Sequence, residues 1–487
     1  MSPALILACI CGYFLFLLLI AWYTSRNAGN DAYFLGNRAS PWYVVAFGLI
    51  GDSLSGVTFI SVPGQVGKSN FSYLQIVFGY VIGYAVIGAI LLPLYYRLRL
   101  TSIYSYLLTR FGPNAQKTGA LFFLISRTVG AAARLYLAAS VIQVFVFNQW
   151  DIPFAATVTT IIALILLYTY KGGIKTLVWT DTFQSTFLLA GVLLSIVAIG
   201  RQLDWGISDM ISAISASPHS GIFVWDWKAK AFFWKSFLGG AAVAIAMTGL
   251  DQNMMQKNLS CRSLGEAQKN IYSFSIVVVI VNLLFVSLGA LLYLFASAKG
   301  FAVPDDRDQF FPTLALRHLG TFAAIAFIIG LTAATFSSAD SVLTTLTTSF
   351  CIDVLGTDQP GRFSEQRKTS LRHAAHIGFA VLLLTVIMIF WWSAEKSVID
   401  IVLDIANFTY GPLLGLFAYG VLTRRTVVDG WVPVVCLCAP LICYWVRACA
   451  PRWLGGYQFG QELLILNGLL VAIGLFLLRK PRAPQPV

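Results

Sequence analysis

The sequence predicts an all-α membrane protein that crosses the bilayer many times. Of its 487 residues, 58% are hydrophobic and only 11% are charged, whereas a soluble domain has roughly 25% charged residues. The mean hydropathy is +0.76. Apolar stretches long enough for a membrane-spanning helix, which needs about 20 residues, recur from Ala4 to Leu478. We therefore interpret residues 1–487 as a single transmembrane domain.

By this length criterion we predict about 13 spans. They lie at 4–23, 42–62, 71–95, 116–147, 152–169, 182–200, 232–252, 270–297, 311–352, 370–392, 397–422, 430–448 and 463–480. The longest polar connection between them, 201–231, has about 30 residues and is too short for a second domain.

The basic residues indicate how the spans are oriented. The net charge is +12, but the lysines and arginines are spread over many loops, which does not favour a nucleic-acid surface. Cytoplasmic loops carry an excess of lysine and arginine. If the loops alternate from an outside N-terminus, the inner loops hold about twice as many basic residues as the outer ones. The acidic segment Asp305, Asp306 and Asp308 then lies outside, and the C-terminus is predicted inside.

A membrane enzyme and a membrane sensor are both disfavoured. The four histidines, His219, His318, His373 and His376, lie in loops or near span ends. None of them forms a convincing pair with an intramembrane acid or nucleophile, as a membrane enzyme would require. The tail after Leu478 is too short for a signalling module. We therefore expect no enzyme activity and no organic cofactor.

Two predicted spans contain many small and polar residues near their middle. They are Gly48–Ser61 (GLIGDSLSGVTFIS) and Gly239–Asn253 (GGAAVAIAMTGLDQN). They are the second and seventh predicted spans, so each is the first of a block of five spans. Discontinuous helices at matching positions of two repeats indicate a transporter binding site, because the unwound backbone frees carbonyls for a cation and amides for a substrate.

Asp340 is the first residue that points to an ion. At 100° per residue, Ser337, Asp340 and Ser341 lie on one helical face with Ser338 at its edge. This face of oxygen atoms suits a hard cation. The alternative is a helix-packing seam of small residues, but an aspartate is costly at that depth and favours the functional interpretation.

Asp52 lies in the second span beside Ser53, Ser55 and Thr58. It could bind an ion, or it could pair with an intramembrane arginine and hold the bundle together. Arg127 and Arg134 are the candidate partners. They are seven residues apart and share a helical face near the middle of their span. A guanidinium is the natural receptor for a carboxylate, which favours an anionic substrate, unless both arginines neutralise Asp52, Asp340 or free carbonyls.

The segment Tyr170–Gln184 (YKGGIKTLVWTDTFQ) precedes an apolar run. Asp181 is its only acid. From the residues alone, Asp181 is predicted to be an N-terminal helix cap, which contributes about 1 kcal/mol.

Together, several segments resemble the sodium/solute symporter family, which includes bacterial proline, galactose and sialic acid transporters. They are Asp31–Arg38, Lys171–Gln184, Gly249–Lys257, the helix around Ser337 and Ser338, and Gly411–Gly415. The pattern G-G-x-x-x-x-x-W-T-D-x-x-Q within 172–184 is the most specific of them. The resemblance covers nearly the whole chain.

The resemblance implies a leucine-transporter-like fold with two inverted five-helix repeats and alternating access. Residues 1–40 would be an extra N-terminal helix and loop, and 41–200 the first repeat. Residues 201–422 would hold an outer loop and the second repeat, and 423–487 the C-terminal helices.

The resemblance also implies ion sites. The main sodium site would use the carbonyls of Gly51, Leu54 and Ala334 with the hydroxyls of Ser337 and Ser338. A second sodium, bound by some members, would lie on Asp181, Ser337, Asp340 and Ser341. Asp340 replaces what looks like a hydroxyl residue of the sialic acid transporters. Asp52 is one residue before the aspartate position of the proline transporters. The number of ions therefore stays open, and Asp52 or Asp340 could instead carry a proton.

By the same resemblance the substrate site draws on polar residues of three helices: Ser53, Ser55, Thr58, Tyr73, Gln75 and either Arg127 or Arg134. The third-helix arginine of the sialic acid transporters aligns near Gly130, between the two arginines, so the choice stays open.

The sequence thus predicts a sodium-coupled importer of a small organic anion, such as a sialic acid or a monocarboxylate. A neutral sugar as substrate, or a proton as coupling ion, is the alternative. We expect a monomer in the bacterial inner membrane, with sodium, the substrate and lipid as its partners.

Overall fold

The computed structural model consists of helices and loops, without a strand in the residues that it describes, which are 3–25, 30–359, 361–393 and 398–479. The predicted span limits at 397 and 480 lie outside these residues. The α-helices are α1 (Pro3–Thr24), α2 (Asn30–Leu35), α3 (Trp42–Ser53), α4 (Gly56–Ser69), α5 (Tyr73–Val86), α6 (Leu92–Arg97), α7 (Ser105–Arg110), α8 (Pro113–Phe145), α9 (Phe154–Leu203), α10 (Ile207–Ala216), α11 (Phe233–Ala244), α12 (Gln252–Leu259), α13 (Leu264–Lys299), α14 (Phe310–Arg317), α15 (Thr321–Ser349), α16 (Glu365–Ser393), α17 (Val398–Leu422), α18 (Val432–Trp453) and α19 (Leu463–Leu477).

Each predicted span coincides with a helix or a pair of helices. In the described part of the chain, nine helices are long and apolar enough to cross a membrane, or eleven when each of two bent pairs is counted as one span. Two more predicted spans correspond to the shorter apolar helices Phe154–Tyr170 and Leu463–Leu477. The total of 13 therefore stays a prediction.

At two glycines the helices begin or end at positions that differ from the predicted span limits. Residues 311–352 were expected to form one span, but Gly320, with φ +88°, separates α14 from α15. Residues 170–181 were expected to form a loop. Instead the helix resumes at once, because Gly173 adopts φ +49° and changes the chain direction within α9. A positive φ costs a glycine little.

The two spans expected to be discontinuous are both broken. Helices α3 and α4 meet at 57°, and the helix from Phe233 to Gly249 meets α12 at 62°. The first break lies at Leu54 and Ser55, whose backbone leaves helical geometry. The second lies at Leu250 and Asp251. Each break leaves backbone groups without intrahelical partners.

The breaks lie at the centre of the molecule. Helix α15 is buried over most of its length and packs on α9 and α3, whereas α1, α16 and α18 are mostly exposed. Helices α5 and α11 approach closely through glycines: a Cβ built on Gly240 would lie 2.2 Å from the carbonyl oxygen of Ile76. Small residues permit such close helix contacts.

Candidate ion and substrate site

A buried lysine joins the two broken helices. The ammonium of Lys257, on α12, donates to carboxylate oxygens of Asp52 on α3 and of Asp181 on α9. It also donates to the hydroxyl of Ser341 on α15 at 2.7 Å. The lysine and both aspartates are buried. We call Asp52, Asp181, Ser341 and Lys257 the lysine cluster.

Asp181 does not cap a helix, which corrects the sequence-based interpretation. Because the helix resumes at Gly173, Asp181 lies about two turns inside it. Its side chain is fully buried. One carboxylate oxygen accepts from Lys257, and the other accepts from the Ser337 hydroxyl at 3.3 Å. The acid is therefore part of the site and not a local stabiliser of a helix end.

The residues expected at the main sodium site come from α3 and α15, which are in contact. A Cβ built on Gly51 would lie 2.7 Å from Ser337 Oγ, so the backbone at Gly51 directly faces that hydroxyl. Leu54 ends α3, and its N–H bonds to the carbonyl of Ile50. The carbonyls after Ile50 lie in the unpaired last turn of a helix. On α15, Ser338 Oγ donates to Ala334 O at 3.4 Å.

Asp340 lies beside Ser341 on α15 but does not contact Lys257. Its carboxylate accepts from the Tyr168 hydroxyl at 2.7 Å, from Gln184 Nε2 at 3.4 Å and from its neighbour's backbone, Ser341 N, at 2.6 Å. No cationic side chain lies within ion-pair distance of it in the described residues. Asp340 is therefore held by neutral donors, and it does not pair with either arginine.

Arg127 has a carboxylate partner that the sequence interpretation did not name. Its Nε donates to Asp251 Oδ2 at 2.5 Å. Asp251 also accepts from the Tyr410 hydroxyl at 2.5 Å, and it caps α12 by accepting from Met254 N at 3.2 Å. Arg127 is thus neutralised at the second helix break, by Asp251 rather than by Asp52 or Asp340.

Arg134 has no such partner. Within the described residues, its Nε is buried and makes no hydrogen bond, and no carboxylate lies within ion-pair distance of its guanidinium. The residue as a whole is half-buried, unlike the buried Arg127. Of the two arginines, Arg134 is therefore the one that is available to a ligand.

Both arginines line a cavity of about 80 Å³ between the broken helices. The lining residues are Asp52, Ser53, Leu54, Tyr73, Tyr80, Tyr84, Arg127, Arg134, Val243, Ala244, Met247, Thr248, Met254, Val278 and Asn282. Two buried acceptors of this lining, Asp52 Oδ1 and Asn282 Oδ1, have no hydrogen-bond donor among the described residues. The cavity thus offers an unpaired cation beside unpaired acceptors.

Four of the expected substrate residues line the cavity: Ser53, Tyr73, Arg127 and Arg134. The structure does not bring the other three to it. Ser55 is buried at the start of α4, and Thr58 is buried within this helix. Gln75 donates to the carbonyls of Ser72 and Ala231 and accepts from Val224 N, so it fastens the 204–232 connection to α5.

Sequence reasoning missed Asp251, Lys257, Asn282, Tyr80 and Tyr84 as members of the site. One signal was available. Asp251 and Lys257 lie in the segment Gly249–Lys257, at the end of a span that was expected to be broken. Charged residues at membrane depth are functional candidates by default. The others are unremarkable in the sequence and are defined only by tertiary packing.

Comparisons with known proteins identify the family of the chain. The model of the sodium:solute symporter family matches residues 33–432. The sodium/sialic acid symporter of Aliivibrio fischeri is 24% identical over 463 residues, covering 93% of this chain and 89% of the relative. Sodium-coupled monocarboxylate transporter 2 of Danio rerio is 25% identical over 417 residues, covering 84% of this chain and 65% of the relative.

Solved structures share the fold. The substrate-bound, outward-open state of a Na⁺-coupled sialic acid symporter superposes with a TM-score of 0.83 at 21% identity, over 97% of each chain. A nucleobase-cation-symport-1 family transporter in a closed conformation gives a TM-score of 0.52 at 15% identity, over 92% of this chain and 93% of that one. The helical architecture is that of leucine-transporter-fold symporters. Since the family model matches most of its length, the chain belongs to the sodium:solute symporter family, whose members are transporters and not enzymes.

Proposed function

We propose that this protein imports a small organic anion together with sodium, and that Arg134 receives the carboxylate of the substrate. The unpaired guanidinium of Arg134 in the central cavity carries this proposal. A guanidinium fork matches a carboxylate in a bidentate geometry. A bound anion would give Arg134 a negative counter-charge, as Asp251 already does for Arg127.

The other unpaired groups narrow the substrate class. Asp52 Oδ1 and Asn282 Oδ1 are buried acceptors that need a donor. A substrate that also carries a hydroxyl group provides one. The cavity of about 80 Å³ is small beside the roughly 300–1,000 Å³ of pockets that take drug-sized ligands. A short hydroxy acid fits this conformation, whereas a sialic acid requires the cavity to widen. The names of the relatives include both monocarboxylate and sialic acid transport.

For sodium, we propose the junction of α3 and α15. Its ligands are the carbonyls of Gly51, Leu54 and Ala334 and the hydroxyls of Ser337 and Ser338; the contact between Gly51 and Ser337 supports this set. Asp181, Asp340, Ser341 and Asp52 form the second candidate cation or proton site. Sodium at the junction stabilises the outward-open state, the anion binds beside it, and both leave inside after the repeats rock.

The loop contacts support the alternation of loops between the two sides in the proposed topology of 13 spans, and the excess of basic residues in one set of loops supports an outside N-terminus and an inside C-terminus. Loops assigned to the same side bond to each other: Phe71 N to Gly221 O at 3.0 Å on the outer side, and Ser40 N to Ser260 O at 3.0 Å on the inner side. The bent pairs then open the two inverted repeats, 41–200 and 201–422. We propose a monomer in the bacterial inner membrane.

The thermal unfolding midpoint of the detergent-purified protein tests this function. It is measured in sodium chloride and in choline chloride with glycolate, lactate, 3-hydroxybutyrate, a sialic acid, neutral sugars and amino acids. A hydroxy acid should raise the midpoint only with sodium present. A ligand at a hundredfold excess over its Kd adds about 2.7 kcal/mol.

Arg134→Gln should abolish the shift. Arg447→Gln is the matched control, since Arg447 is another arginine of the membrane helices but pairs with Asp404 on α17, outside the cavity lining. The control should keep the shift. A shift produced by a neutral sugar, or retained in Arg134→Gln, contradicts anion transport. A shift that requires low pH instead of sodium contradicts sodium coupling.

A further inference from the structure

We infer that the Lys257 ammonium is a resident cation at the second candidate ion site and takes the place of a second sodium ion. The protein therefore binds one sodium per transport cycle. This inference rests on the proposed sodium coupling, and it assigns a role in ion stoichiometry to a residue that the family resemblance left without one.

The contacts of Lys257 are those expected of a bound ion. An ammonium has three N–H donors, and all three directions are accounted for by Asp52, Asp181 and the Ser341 hydroxyl. Asp181 and Ser341 are two of the four residues on which a second sodium would lie. The ammonium thus occupies one oxygen atom of each of these two residues, Asp181 Oδ2 and Ser341 Oγ.

Charge balance points to the same stoichiometry. The lysine cluster contains two carboxylates and one ammonium, which leaves one buried negative charge. A single sodium at the junction of Gly51 and Ser337 neutralises it, and the Ser337 hydroxyl connects that junction to Asp181 at 3.3 Å. A second sodium in the cluster would repel the ammonium at close range in a low-dielectric interior. Asp340 is not counted in this balance, because it makes no contact with Lys257 and accepts from three neutral donors, Tyr168, Gln184 and the backbone N–H of Ser341.

The attachment of this cation to the chain distinguishes it from sodium. The ammonium connects α3, α9 and α15 to α12. Both broken spans are therefore linked through it, the first by α3 and the second by α12. A sodium ion at this position would leave at each inward release. Lys257 cannot leave, so these four helices keep a cation between them throughout the cycle.

Equilibrium binding of radioactive sodium (²²Na⁺) to purified protein without substrate tests the inference. The wild-type protein should bind one sodium per chain. Lys257→Met should bind two, because the cluster loses its own cation. Lys257→Arg keeps the charge and should bind one. Adding Asp181→Asn to Lys257→Met should return the number to one.

Lys257→Met leaves two buried carboxylates without a counter-ion and could fail to fold. Lys257→Met with Asp52→Asn is therefore measured beside it, since it removes one negative charge and keeps Asp181, Ser337 and Ser341. It should also bind two sodium ions. Asp340→Asn in the wild-type background should still bind one.

The outcomes separate this inference from the proposed function. Two sodium ions on the wild-type protein would overturn the role of Lys257 and leave sodium coupling intact. So would a single sodium on Lys257→Met and on Lys257→Met with Asp52→Asn. A second wild-type sodium that is lost in Asp340→Asn would also overturn it and would place that ion at Asp340. No sodium on the wild-type protein would contradict the proposed function itself.

Discussion

Arg127 and Arg134 are the same residue type on the same face of one helix, but their surroundings give them different roles. Arg127 is paired with Asp251, and Arg134 faces the cavity without a counter-ion in the described residues. The sequence could not distinguish them. Their spacing is visible in the chain, whereas the partner of Arg127 lies 124 residues away and reaches it only through the break of the second discontinuous span.

This difference predicts opposite effects on stability. Arg127→Gln leaves Asp251 buried without its cation and should destabilise the substrate-free protein, since breaking a buried ion pair costs about 3–5 kcal/mol. Arg134→Gln removes an unpaired, half-buried charge and should leave stability equal or higher. Thermal unfolding of both variants without substrate measures this. Equal destabilisation by the two variants would show that Arg134 also has a structural partner.

At the level of elements, the glycines between α5 and α11 fix how closely the two repeats pack. Gly240→Ala would place a Cβ 2.2 Å from the Ile76 carbonyl oxygen, which is backbone and cannot move aside locally. We expect destabilisation by about 1–3 kcal/mol, as for other overpacked sites. Thermal unfolding in detergent measures the effect.

Gly378→Ala on α16 is the matched control. No atom lies within 4 Å of a Cβ built there, and alanine is a better helix former than glycine by about 1 kcal/mol. This variant should be as stable as the wild-type protein or more stable. Similar midpoints for Gly240→Ala and Gly378→Ala would mean that the α5–α11 contact relaxes freely.

The positions of the helices could largely be predicted, because an apolar run of about 20 residues has few alternatives in a bilayer. Helix continuity was harder to predict. Gly173 turns an expected loop into a restart of α9, and Gly320 divides one expected span into two helices. A glycine conformation with positive φ is set by tertiary contacts, such as that of Gly173 with Tyr33. The same restart places Asp181 in contact with Lys257 and Ser337, whereas the residues alone predicted a helix cap.

For the whole molecule, the proposed orientation predicts which loops a reagent reaches from outside. Asp305→Cys should react with a membrane-impermeant maleimide in intact cells, whereas Asp358→Cys should react only after permeabilisation. Both side chains are exposed. The unsubstituted protein is the control, because Cys11 and Cys438 are exposed on membrane helices. The reverse labelling pattern would invert the topology.

The class of protein was predictable from the whole chain, and the family comparison confirmed it. The substrate was not predictable to the same depth. Ser53 and Tyr73 line the cavity, whereas Gln75 belongs to a loop contact and Asn282 was not considered; substrate binding by Ser53 and Tyr73 stays a prediction. Binding residues of this kind are selected by which helices face each other, and a single sequence does not contain that information in its local pattern.

The fixed ammonium of Lys257 also determines how the transporter is powered. One sodium and one monovalent anion carry no net charge, and Lys257 returns with the empty carrier. The cycle is then electroneutral. The membrane potential, which contributes about 2.3 kcal/mol per charge per 100 mV, drives none of the accumulation. The sodium concentration ratio alone limits how far the anion is concentrated, so a depolarised cell would take it up as well as a polarised one.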